Sequence, residues 1–297
     1  MRALAAALLA AAWLLPAHAA HAQGGDAGWY TQVDNDVFFH TDRWYTSGVR
    51  IARVVPRGDR ELEIGLLQEI YTPEAKFHDP IDRPTAARLL ATIASHDRRE
   101  RDWTTRELDL GVTGPAALGR QAQEFIHRFV PAPQEDWSHQ RPNRVDAQFA
   151  WVRSHDFQGD PGALRHVYAH YGVVAGNQVA FAHAGLELRF GRGAALALST
   201  PALRFAATPP LARGDGSWSA WLGASARAVA VNHLLDFAPG VDVAPVRRKP
   251  TVARFVGGVA WAGELATVTF ALAQDTREFA GQRRPQSFGS VTLLVPF

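Results

Sequence analysis

The feature that most constrains this chain is a side-chain period of two, sustained over long stretches. Leu62, Ile64, Leu66 and Ile70 alternate with Glu63, Gly65 and Glu69. Leu186, Leu188 and Phe190 alternate with Glu187 and Arg189, and Val268, Phe270 and Leu272 with Thr267, Thr269 and Ala271. The last segment groups Val291, Leu293, Val295 and Phe297 on one face. Such segments are strands with one apolar face. The pattern recurs at 29–38, 44–56, 60–71, 83–96, 102–113, 143–155, 163–176, 178–193, 216–234, 246–262, 265–277 and 286–297. Twelve antiparallel strands, each near or beyond the ~9–11 residues that cross a bilayer at a tilt, predict an all-β fold, a closed 12-stranded transmembrane barrel. Lipid tolerates no open sheet edge, so such a sheet closes. A secreted β-sandwich also alternates, but its strands run nearer ~5–6 residues. Joints are short at Pro56 to Asp59 and long at Pro73 to Asp82 and Thr200 to Ser217, as expected of tight periplasmic turns and larger outer loops.

Composition removes whole classes of function. There is no cysteine, hence no disulfide, thiolate nucleophile or Cys-based metal site, and any metal must sit on oxygen or imidazole. Lys plus Arg number 31 against 29 Asp plus Glu, and the arginines are dispersed, so nucleic acid is not an expected partner. No G-x-x-x-x-G-K-[ST] loop or H-E-x-x-H pair occurs. Arg2, the apolar run Ala3 to Leu15, Pro16 and the small residues up to Ala22 read as a secretory signal peptide over 1–22, leaving the barrel as 23–297. Beyond it, no apolar run reaches the ~18 residues of a membrane-spanning helix.

One segment breaks the pattern. After Gly114-Pro115, the residues Ala122, Phe125, Ile126 and Phe129 recur at helical spacing, and Pro suits a first turn. Arg120, Gln123 and His127 are three and four apart, on one polar edge of this helix. The first hairpin concentrates Asp34, Asn35, Asp36 and Asp42, hard oxygen donors of the kind Ca²⁺ accepts, although Asp and Asn also form turns. The spacing is not that of an EF-hand loop. His166 and His170 are ordinary barrel residues, since i and i+4 lie far apart along a strand. Arg247-Arg248-Lys249 is a basic run at a loop or barrel end.

Four blocks in order carry a resemblance. Asn35-Asp36 with Phe38, then Thr41-Asp42-Arg43-Trp44-Tyr45-Thr46-Ser47-Gly48-Val49-Arg50, then Gln68-Glu69-Ile70-Tyr71-Thr72-Pro73, then Gly111-Val112-Thr113-Gly114-Pro115 leading to Gln123 and His127-Arg128, resemble the lipid A 3'-O-deacylase family of the LpxR type. The match is good over residues 29–155, and the remainder agrees as barrel strands with a terminal Phe. The resemblance implies an outer-membrane barrel whose active site lies between the outer-leaflet end of the wall and one short helix from an extracellular loop. It also implies Ca²⁺-dependent hydrolysis of the 3'-linked acyloxyacyl ester of lipid A, the partner being lipopolysaccharide in the outer leaflet and the barrel a monomer. By position the catalytic set is His127, Gln123, Thr46 and Lys76, the last aligning only when two loop residues are dropped, and it is one of two lysines in the chain. Asn35 and Asp36 are the implied Ca²⁺ ligands, while Lys76, Arg50 and Arg120 are candidates for the glucosamine phosphate. Trp137-Ser138-His139-Gln140 runs into Arg141-Pro142-Asn143 and lacks the acid expected of relatives. Two other readings stand beside this one: a serine-type phospholipase using Ser47, and a pore or structural barrel without catalysis.

Overall fold

The computed structural model describes residues 27–41, 43–74, 82–128, 136–158, 163–192, 216–236 and 246–296. The signal peptide 1–22, Asp42, Lys76 and Phe297 lie outside these residues. Twelve antiparallel strands form one closed sheet. They are β1 (Gly28–Asn35), β2 (Trp44–Arg57), β3 (Arg60–Thr72), β4 (Ala86–Arg99), β5 (Asp102–Thr113), β6 (Arg144–Asp156), β7 (Arg165–Gly176), β8 (Val179–Phe190), β9 (Ser217–Asn232), β10 (Thr251–Ala262), β11 (Thr267–Asp275) and β12 (Gln286–Pro296). Each strand pairs with its sequence neighbours, and β1 closes on β12 from Gly28 opposite Pro296 to Asn35 opposite Gly289. Closure leaves no strand with unpaired backbone, which is what allows a sheet to stand in hydrocarbon.

The two faces sort as the alternation requires. Ile64, Leu66, Leu110, Leu186, Leu222, Phe255 and Val259 are exposed and point outward. At the end holding both chain termini the band finishes in Trp218 and Trp261, which are cross-strand partners, an aromatic belt of the type found at a bilayer interface. The interior is filled with bonded charges. Arg50 donates to Glu63 at 2.5 Å and to Glu107 at 2.9 Å, and Tyr30 donates to Glu63 at 2.7 Å. Arg88 meets Glu69 at 2.9 Å and Asp146 at 2.7 Å, and Arg254 meets Asp275 at 2.6 Å. The opposite, helix-bearing end is covered by Trp44, Leu235 and Phe279, which pack together.

Three expectations change. The first strand stops at Asn35, because Asp36–Phe39 winds into a 3₁₀ turn capped by the Asn35 side chain, which accepts from the Val37 amide at 2.8 Å. The tenth strand begins at Thr251 rather than at 246. The long connection after Phe190 lies at the terminal end, with the tight turn at Gly58, whereas the short Asn177-Gln178 turn lies at the helix-bearing end. Loop length therefore does not separate the two ends cleanly.

Candidate active site

The 114–143 connection builds the one α-helix among the described residues. Gly114 leaves β5 at φ 91, and a Cβ there would stand 2.6 Å from the Pro142 backbone, so glycine is required where the two ends of the loop touch. Asn143 Oδ1 accepts from the Ala116 amide at 2.8 Å, tying the same two ends. Pro115–Ala117 forms a 3₁₀ turn, and Leu118, at φ 58, redirects the chain into α1 (Gly119–His127).

α1 lies against the outward side of the wall near its rim, not over the lumen. Ala117, Ala122 and Trp137 pack with Ile70 and Ala87, which lie on the outward faces of β3 and β4, together with Leu89 and Val112. Gln68, on that face of β3, donates to the Ala117 carbonyl at 2.7 Å. The approach is close because Gly119 has no side chain, and a Cβ there would sit 2.4 Å from that of Ala87 and 2.8 Å from the Trp137 ring.

The helix edge expected to carry Arg120, Gln123 and His127 divides in two. Gln123 is buried and accepts from the Trp137 indole N–H at 3.1 Å. Its own Nε2 is buried without a partner among the described residues. His127 sits half-buried on the last turn. Arg120 points to solvent and pairs with Glu124 at 3.1 Å. Phe125 and Leu118 are exposed on the outward side. Trp137, read in the sequence only as part of a departing motif, is the residue that fixes Gln123. A helix glutamine followed within about fifteen residues by a tryptophan was the available signal, but the loop between them hides the contact.

Register places the first-hairpin candidates on the same outward rim. Asn35 is opposite Ser47, Ser47 is opposite Ile70, and Ile70 is opposite Ala87 beneath the helix. Neighbouring strands stand about 4.8 Å apart, so Asn35 and α1 belong to one short stretch of wall. A β-bulge at Thr46 changes the alternation here. Strict alternation along 44–56 puts Ser47 on the lipid face together with Tyr45. Instead Tyr45 turns inward, donating to Asp34 at 2.9 Å and packing on Phe288, while Thr46 shares a 2.5 Å hydrogen bond with Thr72 on the outward face. Asp36 is buried, and its Oδ2 accepts from the Arg43 amide at 2.7 Å and the Thr41 hydroxyl at 3.2 Å.

Arg50 is a correction. It faces the lumen on β2, with Glu63 and Glu107 occupying its guanidinium, and cannot meet a phosphate outside the wall. Thr46, one of the implied catalytic set, bonds to β3, and Ser47 holds the position opposite Asn35. The 137–143 segment is a brace. Gln140 bridges to Thr85, the Arg141 amide donates to the Thr85 carbonyl at 2.9 Å, and the Arg141 side chain donates to the Asp236 carbonyl. Asp136 accepts from the Ser138 amide at 2.8 Å, and the Ser138 side chain first, with this amide second, holds its carboxyl below the usual range.

As a metal site the rim offers oxygen only. Asn35 contributes an amide carbonyl, Asp36 a carboxylate and Thr46 a hydroxyl, a set that suits a hard cation rather than a transition metal. Among the described residues no three His, Asp or Glu side chains gather as a ligand cluster, so a cation here would complete its shell from backbone carbonyls and water.

Comparison with known proteins gives a family model, "Outer membrane protein LpxR", matching residues 4–297. Among solved structures, LpxR from Salmonella typhimurium superposes with a TM-score of 0.78 at 19% identity, covering 91% of this chain and all of the other, a likeness in fold. The β domain of the Bordetella autotransporter BrkA has a TM-score of 0.44 at 11% identity over 92% of this chain and 99% of its own. No curated protein sequence matches.

Proposed function

Because this chain belongs to the LpxR family of outer membrane proteins, we propose that it is an outer-membrane lipid A deacylase that hydrolyses the 3'-linked acyloxyacyl ester. The observation that carries this reading is the position of α1. The helix packs through Ala122 on the outward side of the wall and carries Gln123 and His127, on the side where an acyl ester of a leaflet lipid would lie, whereas a pore or transporter would place its working residues in the lumen.

The chemistry assigned to these residues is ester hydrolysis by water. His127 takes a proton from a water as its oxygen bonds to the ester carbonyl carbon. The tetrahedral adduct then collapses with loss of the sugar-linked alkoxide, which receives that proton from His127, leaving a fatty acid and a free hydroxyl. Gln123, clamped through Oε1 by Trp137, has an N–H left to donate towards the water or the carbonyl. Asn35 and Asp36 would hold Ca²⁺, which when bound supplies positive charge for the developing oxyanion. Thr46 lines the rim between them and the helix, Lys76 is assigned to the substrate phosphate, and Arg120 is placed to reach a headgroup once released from Glu124.

The test is mass spectrometry of lipid A from cells expressing the wild-type protein or His127→Ala, with Ca²⁺ supplied or chelated. Loss of an acyloxyacyl mass that requires both His127 and Ca²⁺ is expected. Unchanged lipid A in every arm, with the barrel folded in the outer membrane, refutes the assignment.

A further inference from the structure

The helix-bearing end of the lumen contains a cavity separated by the barrel wall from the rim site. It is lined there by Arg83, Arg227, Arg248, Lys249, Glu278 and Tyr71. Its free space is about 80 Å³, against the roughly 10–15 Å³ that a single water requires, so it can hold a polyatomic ion.

Two of the arginines here, Arg83 and Arg248, are under-bonded among the described residues. Arg83 is 1% exposed, yet among the described residues its guanidinium makes one long bond, 3.4 Å to the Leu234 carbonyl, and lies 5.0 Å from the centre of the Tyr71 ring. Its Nε has no partner among the described residues, and burial pulls its pKa down. Arg248 donates to the Ala230 carbonyl at 2.6 Å but likewise leaves a buried Nε without a partner. The acids that act on Arg83 through space are Glu278 and Asp82, and Asp82 accepts from the Trp44 indole at 2.8 Å and the Glu74 amide at 3.0 Å. Arg227 bridges Asp275 at 2.8 Å and Glu278 at 2.9 Å, and Asp275 is also held by Arg254. Deeper in the cavity Glu69 is held by Arg88, and Asp109 accepts from Gln148 at 2.7 Å. A buried guanidinium without an anionic partner is costly, because desolvation is not repaid.

We propose that this lumenal cavity is a phosphate-binding site, in which a phosphate group accepts hydrogen bonds from Arg83, Arg248 and Lys249. Two guanidinium groups and an ammonium lining one cavity match a multiply charged oxyanion with several acceptor oxygens. The basic run Arg247-Arg248-Lys249 thereby gains a role: two of its three residues face the cavity. The phosphate could be inorganic, or it could be carried by the headgroup of a phosphoglycolipid reaching over the rim. The site is independent of the deacylase assignment, since it shares no residue with the rim.

The test is thermal unfolding and equilibrium binding of the full chain in detergent micelles, with inorganic phosphate against chloride at matched ionic strength. Wild type is expected to bind phosphate saturably and to unfold at a higher temperature as phosphate rises. Arg83→Gln, and separately the half-buried loop variants Arg248→Gln and Lys249→Gln, should each weaken binding about tenfold or more, the loop variants guarding against a folding defect in the first. A phosphorylated glycolipid added to the micelles either displaces phosphate, assigning the site to a headgroup, or leaves it bound, assigning it to a free solute. Absence of phosphate binding by the wild type, or binding untouched by all three substitutions, overturns the proposal.

Discussion

Trp137 shows how much one hydrogen bond contributes to the rim. Its indole N–H is the recorded partner of the Gln123 carbonyl, and a bond of this kind is worth about 0.5–1.5 kcal/mol net. Trp137→Phe keeps an aromatic ring in the loop but removes the donor together with the outer edge of the indole, Cη2 and Cζ3, that lies nearest Gly119. Deacylation measured by lipid A mass spectrometry should fall about 3- to 10-fold, while His127→Ala should fall ~10²–10⁴-fold, the usual loss of a general base. An equal loss in the two variants would mean that Trp137 holds the fold of the loop rather than the amide. Ser47 supplies the complementary control. It stands opposite Asn35 on the outward rim, where a serine nucleophile would have to be, so Ser47→Ala activity within about twofold of wild type is expected if water attacks the ester. Complete loss with the barrel folded would transfer the chemistry to a serine route. Arg50 marks where residue-level reading stopped. The resemblance implied a phosphate for it, but its partners Glu63 and Glu107 lie 13 and 57 positions away, and only strand register brings them together.

At the scale of elements, the strands were legible because lipid and lumen demand opposite chemistry at alternate residues, and that demand persists over a dozen positions. Local exceptions were not legible. The bulge at Thr46 and the 3₁₀ turn after Asn35 each depend on a few side-chain bonds, Thr46 to Thr72 and the Asn35 carbonyl to Val37 N–H, which leave no period in the sequence. The helix was visible from its spacing, but its docking side was not, since Phe125 and Leu118 are exposed while the small residues Gly119 and Ala122 make the contact. Gly119 is the point at which this docking can be tested. Adding a valine side chain would drive it into Ala87 and Trp137, lifting the first turn of α1 from the wall. Gly119→Val should lower deacylation at least tenfold, while the heat-induced mobility shift that reports a closed barrel stays at the wild-type temperature. A variant with full activity would show that the helix works without touching the wall there.

For the whole molecule, the question is why a barrel whose proposed chemistry lies outside fills its lumen with charge. The long connection after Phe190 helps to orient the answer: counting strands from the N-terminus puts every connection after an even-numbered strand at the terminal end, whatever its length, and this one follows β8. The helix, the oxygen donors and the covering residues Trp44, Leu235 and Phe279 all lie at the other end. Between the ends, Arg50, Glu63, Glu107, Arg88 and Asp146 cross-link five strands, β2 to β6, through the interior. Such a lattice is stable as a set because each charge has its counter-ion, and removing one member strands the others in a poorly solvated space at a cost of about 3–5 kcal/mol. Arg50→Ala should therefore lower the unfolding temperature of the barrel markedly, with the Arg50→Ala, Glu63→Gln and Glu107→Gln triple variant recovering part of the loss, since the carboxylates it leaves behind are neutralised. If Arg50 instead served lipid phosphate outside the wall, the single variant would lose deacylation with little change in stability. The same filling predicts that the wild-type barrel in a planar bilayer carries no steady ion current above the bare membrane, because a conducting path would have to break these pairs along its length. Sustained conductance steps would restore the pore reading, and a rim helix facing lipid would then need another purpose.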